Sequence, residues 1–223
     1  MDRRVLFDNI SQRYDRVNTL LSFGLNALWM RRLARSILDA QPQRHLDLCC
    51  GTGAVAAQLI RRCAQPLHID CVDFSPEMLA TARNRLAHTG VRMFLADATA
   101  LPFEKASYDT VSISYGIRNI PDKEAALCEA ARVLRPGGRL CIFELTRPKS
   151  LLRPFHSLYL AAIPFLGWVM TGQREPYRYL SHSIRNFSVT ECVEALLRQG
   201  FCPQIPQAVF SGVATLIIAE KPL

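Results

Sequence analysis

Residues 45–50, 68–73, 91–96, 110–115 and 139–144 form five short apolar runs, most of them ending at a polar or glycine-bearing turn. Stretches of helical spacing separate them, and short apolar runs in that setting read as buried parallel strands. Such alternation predicts a parallel sheet covered on both faces and joined by right-handed crossovers. Ser75-Pro76 offers a capping hydroxyl before a proline suited to a first helical position. Leu127, Ala130, Ala131 and Leu134 follow helical spacing up to Pro136-Gly137-Gly138, which is expected to stop that helix. Ser188 and Glu191 predict a capping box for a helix reaching Gly200. Two closing β-like runs, 207–210 and 213–220, flank Ser211-Gly212 and predict an antiparallel hairpin at one edge. The expectation is one α/β domain over 1–223, with a helical cap at 1–43 and an inserted apolar lid at 150–187. Ligands of such sheets bind beyond the carboxyl ends of the strands.

At 223 residues, 49% hydrophobic and 21% charged, the chain is expected to fold around one substantial core. The net charge of +8 fits either a solvated positive surface or attraction to an anionic one. Lys and Arg are scattered and no nucleic-acid-binding motif accompanies them, so a nucleic-acid partner is not expected. The eight cysteines contain no C-x-x-C pair, and Cys49, Cys50, Cys71 and Cys141 fall in apolar runs. With no signal peptide at Met1-Asp2-Arg3-Arg4, this suggests a reducing, cytoplasmic setting without disulfides or a metal site. Residues 151–170 are the most apolar stretch, but Arg153, Pro154, His156 and Pro164 interrupt it, against a membrane span. The readings left are a core helix pair, or an apolar lid or a surface that touches lipid.

The first run feeds Gly51-Thr52-Gly53, where glycine permits a tight turn and close approach of a ligand to the backbone. Gly51 to Ala56 also fits the G-x-G-x-x-A form of a dinucleotide fingerprint, so alone it decides little. Asp73 ends the second run at the spacing where a carboxylate meets ribose hydroxyls; its bland alternative is a charge at a helix start. Asp97, before Ala98 and Leu101-Pro102-Phe103, could accept from an adenine amino group or serve as a plain turn residue.

Leu46 to Gly53, Val72 to Leu79, Ala96 to Phe103 and Leu134 to Gly138 resemble class I methyltransferase motifs. More narrowly, the chain resembles the ubiquinone/menaquinone biosynthesis C-methyltransferases, the UbiE/MenG family. Phe7-Asp8, Tyr14 to Asn18, Leu20 to Gly24 and Trp29 add to this, and Ser112 to Asn119 and Tyr177 to Ile184 are the selective segments. The resemblance implies a Rossmann-like fold with seven mostly parallel strands and S-adenosylmethionine as cofactor. It implies cofactor contacts at Gly51, Thr52, Gly53, Asp73, Asp97, Ala98 and Ser114. The chain departs at Ala54, where many relatives carry aspartate. Near residues 170–175 it also lacks the acidic and asparagine residues often found there.

The implied reaction methylates a ring carbon of a polyprenylated quinol, demethylmenaquinol to menaquinol, with a benzoquinol of ubiquinone biosynthesis as the alternative. Arg118 cannot act as a base, but could stabilise a developing phenolate or polarise a water, and Asn119 could orient that water. The alternatives are that Arg118 pairs with an acidic residue and Asn119 caps the next helix. Tyr14, Tyr177 and Tyr179 are candidates for closing the substrate site, with plain aromatic packing as the competing reading. His156 and His182 titrate near neutral pH and could act as bases, though neither matches a motif. The lid suits a prenyl tail and peripheral contact with the inner face of a membrane. Three rivals stay open: a nicotinamide oxidoreductase lacking a Y-x-x-x-K pair, a small-molecule methyltransferase, and a non-catalytic lipid-binding subunit. Sequence leaves a homodimer open as well.

Overall fold

The computed structural model describes residues 3–11, 13–148 and 151–223. Three helices open it: α1 (Arg3–Ile10), α2 (Tyr14–Leu21) and α3 (Leu25–Leu38). Strands and helices then alternate through β1 (Arg44–Leu48), α4 (Ala54–Ile60), β2 (His68–Asp73), α5 (Pro76–Arg85), β3 (Arg92–Leu95) and β4 (Tyr108–Ser114). The remainder is α6 (Lys123–Val133), β5 (Leu134–Leu145), α7 (Arg153–Thr171), α8 (Glu175–Asn186), α9 (Val189–Arg198), β6 (Cys202–Pro203), β7 (Gln207–Val209) and β8 (Ala214–Glu220).

The sheet order is β3-β2-β1-β4-β5-β8-β6, with β7 also beside β8. The pairs among β1 to β5 are parallel, and β8 runs antiparallel to β5. Alternation along β5 shows how the sheet divides the core. Leu140 and Ile142 join the cluster under α6 and α9, while Cys141 and Phe143 join the one under α3 and α4. Each such fully buried large side chain contributes roughly 1.5–3 kcal/mol. Strand order reverses between β1 and β4, so the crevice beyond their carboxyl ends is the natural ligand site.

Two boundaries differ from the sequence reading. The helix through Leu127 ends at Val133, because Leu134 is extended and pairs with Tyr108. Pro136-Gly137-Gly138 therefore lies inside β5, where the register shifts, and not at a helix stop. The outer antiparallel position is shared by two short strands, making eight in place of seven. Pro203 and Pro206 lack the N–H that a continuous strand would donate there. Ser75 caps α5 as expected, its hydroxyl accepting the Met78 N–H, and the Ser188 hydroxyl accepts the Glu191 N–H, one half of the expected capping box.

Residues 151–170 do not make a helix pair by themselves; α7 runs through Pro164 and pairs with α8. Proline removes the N–H that would bond the carbonyl four residues back. That carbonyl, on Leu160, accepts instead from the Ser181 hydroxyl at 2.6 Å. A Cβ on Gly167 would lie 2.0 Å from Cγ of Tyr177, so the phenol ring packs directly on the α7 backbone.

Candidate active site

The crevice begins where β1 and β4 end. Cys49 and Tyr115, just past those ends, both have positive φ (54° and 55°), turning the chain sharply away from the sheet. A Cβ at Gly116 would stand 2.6 Å from Cys49 Cβ, so only glycine lets the two turns close on each other. Asp73 fixes the first turn: its Oδ2 accepts from Gly51 N–H at 2.8 Å and its Oδ1 from Ser75 N–H at 3.0 Å. Burial pushes the Asp73 carboxyl above its usual range, while these N–H donors pull it back.

A cavity of about 410 Å³ opens here, lined by Gly51, Asp73, Asp97, Ala98 and Ser114 among others. Beyond those N–H bonds the Asp73 carboxylate keeps acceptor capacity for a sugar hydroxyl. Asp97 Oδ1 closes a turn by accepting from the Thr99 N–H and hydroxyl, both at 2.8 Å. Its Oδ2 has no described partner. Phe74, Met78 and Ile120 supply apolar walls for a ring. These residues fit an adenosyl group: acceptors for ribose hydroxyls and an exocyclic amine, with flat apolar surface between.

Thr52 and Gly53 do not line this cavity. The buried Thr52 hydroxyl donates to Asp15 Oδ1 at 2.8 Å and accepts from Arg85 Nη1 at 3.0 Å. Its side chain therefore fastens the N-terminal cap to the cofactor turn, and Arg85 also pairs with Asp15. A second tie joins Asp8 Oδ1 to the Ser75 hydroxyl at 2.5 Å, with Phe7 edge-on to Phe74. Gly53, at φ 75°, packs where a Cβ would meet Leu86 at 2.7 Å. Ala54 leaves the first turn of α4 without an acidic residue, and the Asp15–Arg85 pair bonds the Thr52 hydroxyl just before that helix.

A second cavity, about 100 Å³, lies under α1, α2, α7 and α8 and is mostly apolar. Phe7, Tyr14, Tyr115 and Asn119 line both cavities and form the wall between them. Tyr177 and Tyr179 line the second. Arg118 pairs with Glu144, which is fully buried at the end of β5. Its Nε donates to Ser183 Oγ at 3.3 Å, and the guanidinium lies 5.9 Å from the Tyr115 ring centroid. Burial raises the Glu144 carboxyl, and Arg118 opposes that rise. Asn119 Nδ2 donates to Tyr115 O at 2.8 Å, and its Oδ1 accepts from the Tyr179 hydroxyl at 3.1 Å.

Arg118 thus has the acidic partner that the structural alternative called for, yet still lines the cavity. Asn119 does not cap the next helix; Asp122 does, accepting from Ala125 N–H at 2.9 Å. Burial raises the phenol of Tyr14 above its ordinary value, so it is a neutral donor at the dividing wall. His156 lines the apolar cavity, whereas His182 is exposed beside Asn186. Sequence reading missed Glu144, Ser183, Asp15 and Arg85. Asp15 and Ser183 lay inside the motif segments Tyr14 to Asn18 and Tyr177 to Ile184, and Glu144 had left a signal of its own, a charge closing an apolar run.

The family model described as the ubiE/COQ5 methyltransferase family matches residues 2–221. A demethylmenaquinone methyltransferase of Thermus thermophilus is 40% identical over 97% of this chain and 100% of its own length. A ubiquinone/menaquinone biosynthesis C-methyltransferase UbiE of Geobacter sulfurreducens is 37% identical over 99% of this chain and 88% of its own. Among solved structures, a Thermotoga maritima SAM-dependent methyltransferase superposes with a TM-score of 0.72 at 22% identity, covering 99% of this chain and 100% of the other. That last likeness bears on the fold, while the family rests on the sequence matches. The chain belongs to the ubiE/COQ5 methyltransferase family and is an S-adenosylmethionine-dependent C-methyltransferase.

Proposed function

We propose that the protein methylates a ring carbon of a polyprenylated quinol, with demethylmenaquinol as substrate and menaquinol as product. The observation that carries this is the pair of adjoining cavities, one polar enough for an adenosyl group and one apolar, divided only by Phe7, Tyr14, Tyr115 and Asn119. S-adenosylmethionine supplies an electrophilic methyl group when bound. Gly51, Asp73, Asp97, Ala98 and Ser114 would hold it, with Thr52 and Gly53 shaping the turn from behind.

What remains for the chain is to align the acceptor carbon and favour the ionised form of the neighbouring hydroxyl. Alignment alone can be worth about 7–11 kcal/mol. Tyr14 and Asn119, at the dividing wall, are placed to orient a ring oxygen. The Arg118 guanidinium, held by Glu144 and Ser183, favours negative charge on that oxygen and cannot take its proton. Tyr177 and Tyr179 close the far side, Tyr179 through its bond to Asn119.

The prenyl tail accounts for the outer face of α7. Phe155, Leu158, Trp168 and Val169 there are 73%, 72%, 52% and 64% exposed. Phe23, 82% exposed at the end of α2, joins them through its ring contact with Tyr159. Arg153, Arg174, Arg178 and Arg185 are exposed on or next to α7 and α8. An apolar helix face with an arginine border suits peripheral contact with an anionic bilayer. No helix among the described residues is long and apolar enough to cross one.

The test is incubation with labelled S-adenosylmethionine and reduced demethylmenaquinone, with a demethylated ubiquinol precursor in parallel. Label is expected in the naphthoquinol. Label in neither quinol, from folded protein that binds cofactor, would overturn the proposal. Flotation with anionic vesicles checks the membrane contact; protein left at the bottom of the gradient would count against it.

A further inference from the structure

The apolar cavity is smaller than the ring it is read to hold. Its volume is about 100 Å³, whereas a cavity of roughly 150 Å³ is what takes up a single benzene ring. A bicyclic quinol with a tail therefore enters only when the helices around the cavity part. Packing closes most of its sides. Trp29, Leu145 and Val213 floor it against the sheet. On one flank α1 is held to α5 by Asp8 and Phe7, and on another α7 is fastened to α8 by Tyr177 on Gly167 and Ser181 on Leu160.

The seam between α2 and α7 is different. Among the described residues, two side-chain bonds cross it, one at each end. Arg13 Nη1 donates to the Thr171 carbonyl at 3.3 Å, and the Tyr159 hydroxyl donates to the Leu21 carbonyl. The exposed residues around the first bond are polar: Arg13, Arg16, Gln173 and Arg174. Around the second they are apolar on both helices, Leu20 and Phe23 on one side and Phe155 and Leu158 on the other. Phe23 has φ 51° and is followed by Gly24 at φ 79°. A bulky residue rarely takes this left-handed conformation, and such strain collects at ligand clamps and switch regions. Here it sets the exposed Phe23 ring against Tyr159, centroids 6.0 Å apart. Phe155 lies one turn before Tyr159 along α7. Tyr159, Phe23 and Phe155 thus lead from the cavity wall to the outer face of α7.

We propose that the polyprenyl tail leaves the ring cavity through this corner, between Leu21–Phe23 and Tyr159, and that Phe23 and Tyr159 set a preference for tailed over tailless quinols. This rests on the quinol reading of the same cavity. As the corner opens, the Tyr159 hydroxyl gives up the Leu21 carbonyl, and the Arg13–Thr171 bond holds the far end of the seam. The tail emerges beside Phe155 and Leu158, on the helix face whose arginine border suits an anionic bilayer. The ring can then reach the cofactor wall while the rest of the tail stays in lipid.

The experiment uses two reduced naphthoquinones in solution without vesicles, one with no tail and one with two isoprene units. It compares wild type with F23D. Position 23 is exposed and aspartate tolerates the left-handed conformation, so the fold should hold. Loss of apolar contact with the tail is expected to lower kcat/KM for the tailed quinol about 10-fold relative to the tailless one, with cofactor affinity unchanged. A second readout is independent of turnover. A two-isoprene naphthoquinone carrying a photoreactive diazirine on its second unit is expected to label peptides containing residues 20–23 or 152–159. A wild-type ratio in F23D would overturn the proposal, even if flotation with vesicles were lost, because Phe23 would then be a membrane anchor alone. Label recovered from α1 or α8 would overturn it as well. Either result leaves the quinol reading standing, whereas a wild type that methylates neither quinol would overturn both.

Discussion

The two cavities share a wall but are built by different means. The cofactor cavity sits on strand ends, and its key carboxylate, Asp73, is held by the backbone N–H groups of Gly51 and Ser75 in the turns that follow β1 and β2. The apolar cavity hangs between helices outside the sheet, held by side chains over long sequence separations. Tyr177 packs on Gly167, Ser181 bonds Leu160, and Tyr159 bonds Leu21. The contrast teaches that cofactor recognition is inherited with the sheet, whereas substrate recognition depends on a small helical cluster that can change without disturbing it. Breaking each side separately is the direct way to test this.

The largest effect is expected from Asp73→Asn. Hydrogen bonds to charged groups are worth about 1.5–3 kcal/mol each. Losing two to a ribose would lower cofactor affinity by roughly 10²–10⁴-fold. Calorimetric titration measures this. Affinity within a few fold of wild type would mean that Asp73 organises the turn and touches no cofactor.

A second break lies under the same turn. Asp47, fully buried in β1, accepts from Ser112 Oγ at 2.7 Å and leaves Oδ2 without a partner. Burial raises its pKa to about 7. Next to it His45 bonds Thr110 and Ser112, and burial lowers its pKa to about 3. The two groups act oppositely. With a raised carboxyl pKa, the folded state holds the extra proton between about pH 4 and 7, so stability falls as pH rises through that window. With a depressed imidazole pKa, the unfolded state takes the proton first, so stability falls as pH drops below about 6.5. Asp47→Asn should remove the first dependence and keep the second. At pH 8 it should be more stable than wild type by roughly 2–4 kcal/mol, by urea titration. A variant whose stability still declines from pH 5 to pH 8 as in wild type would locate that slope elsewhere.

The same contrast explains what could be read in the sequence. The strand-end residues were legible because a parallel strand, a turn and a helix start follow one another within a few residues. Gly51, Asp73, Asp97, Ala98 and Ser114 therefore appear in order along the chain and together in the cavity. Thr52 shows the limit of that reading. Its position was right for the turn, but its hydroxyl is occupied by Asp15, 37 residues earlier. Nothing local to either residue encodes that pairing. The Arg118–Glu144 and Ser181–Leu160 contacts likewise depend on how elements stack.

On the helical side, Gly167→Ala places a methyl group where the Tyr177 ring lies. Overpacking of this kind costs about 1–3 kcal/mol. The cost should appear as lower thermal stability and a several-fold loss of methyl transfer, with cofactor affinity unchanged. A variant that loses cofactor binding as well would show that the helical pair and the sheet are not separable.

The smallest effect belongs to the contacts that join the two sides. Asp15 reaches from α2 to Thr52 and Arg85, so Asp15→Asn weakens the tie between cap and cofactor turn without altering either cavity wall. The Asp15 and Arg85 side chains are about one-third exposed. Solvent therefore screens the pair, and the expected loss is only about 0.5–1 kcal/mol. If the cap closes over bound cofactor, most of that loss should appear as faster cofactor release, read by stopped-flow displacement, and little as a change in melting temperature. Should the melting temperature fall with release unchanged, Asp15 would be bracing the fold alone. The independence of the two cavities would then extend to the wall they share.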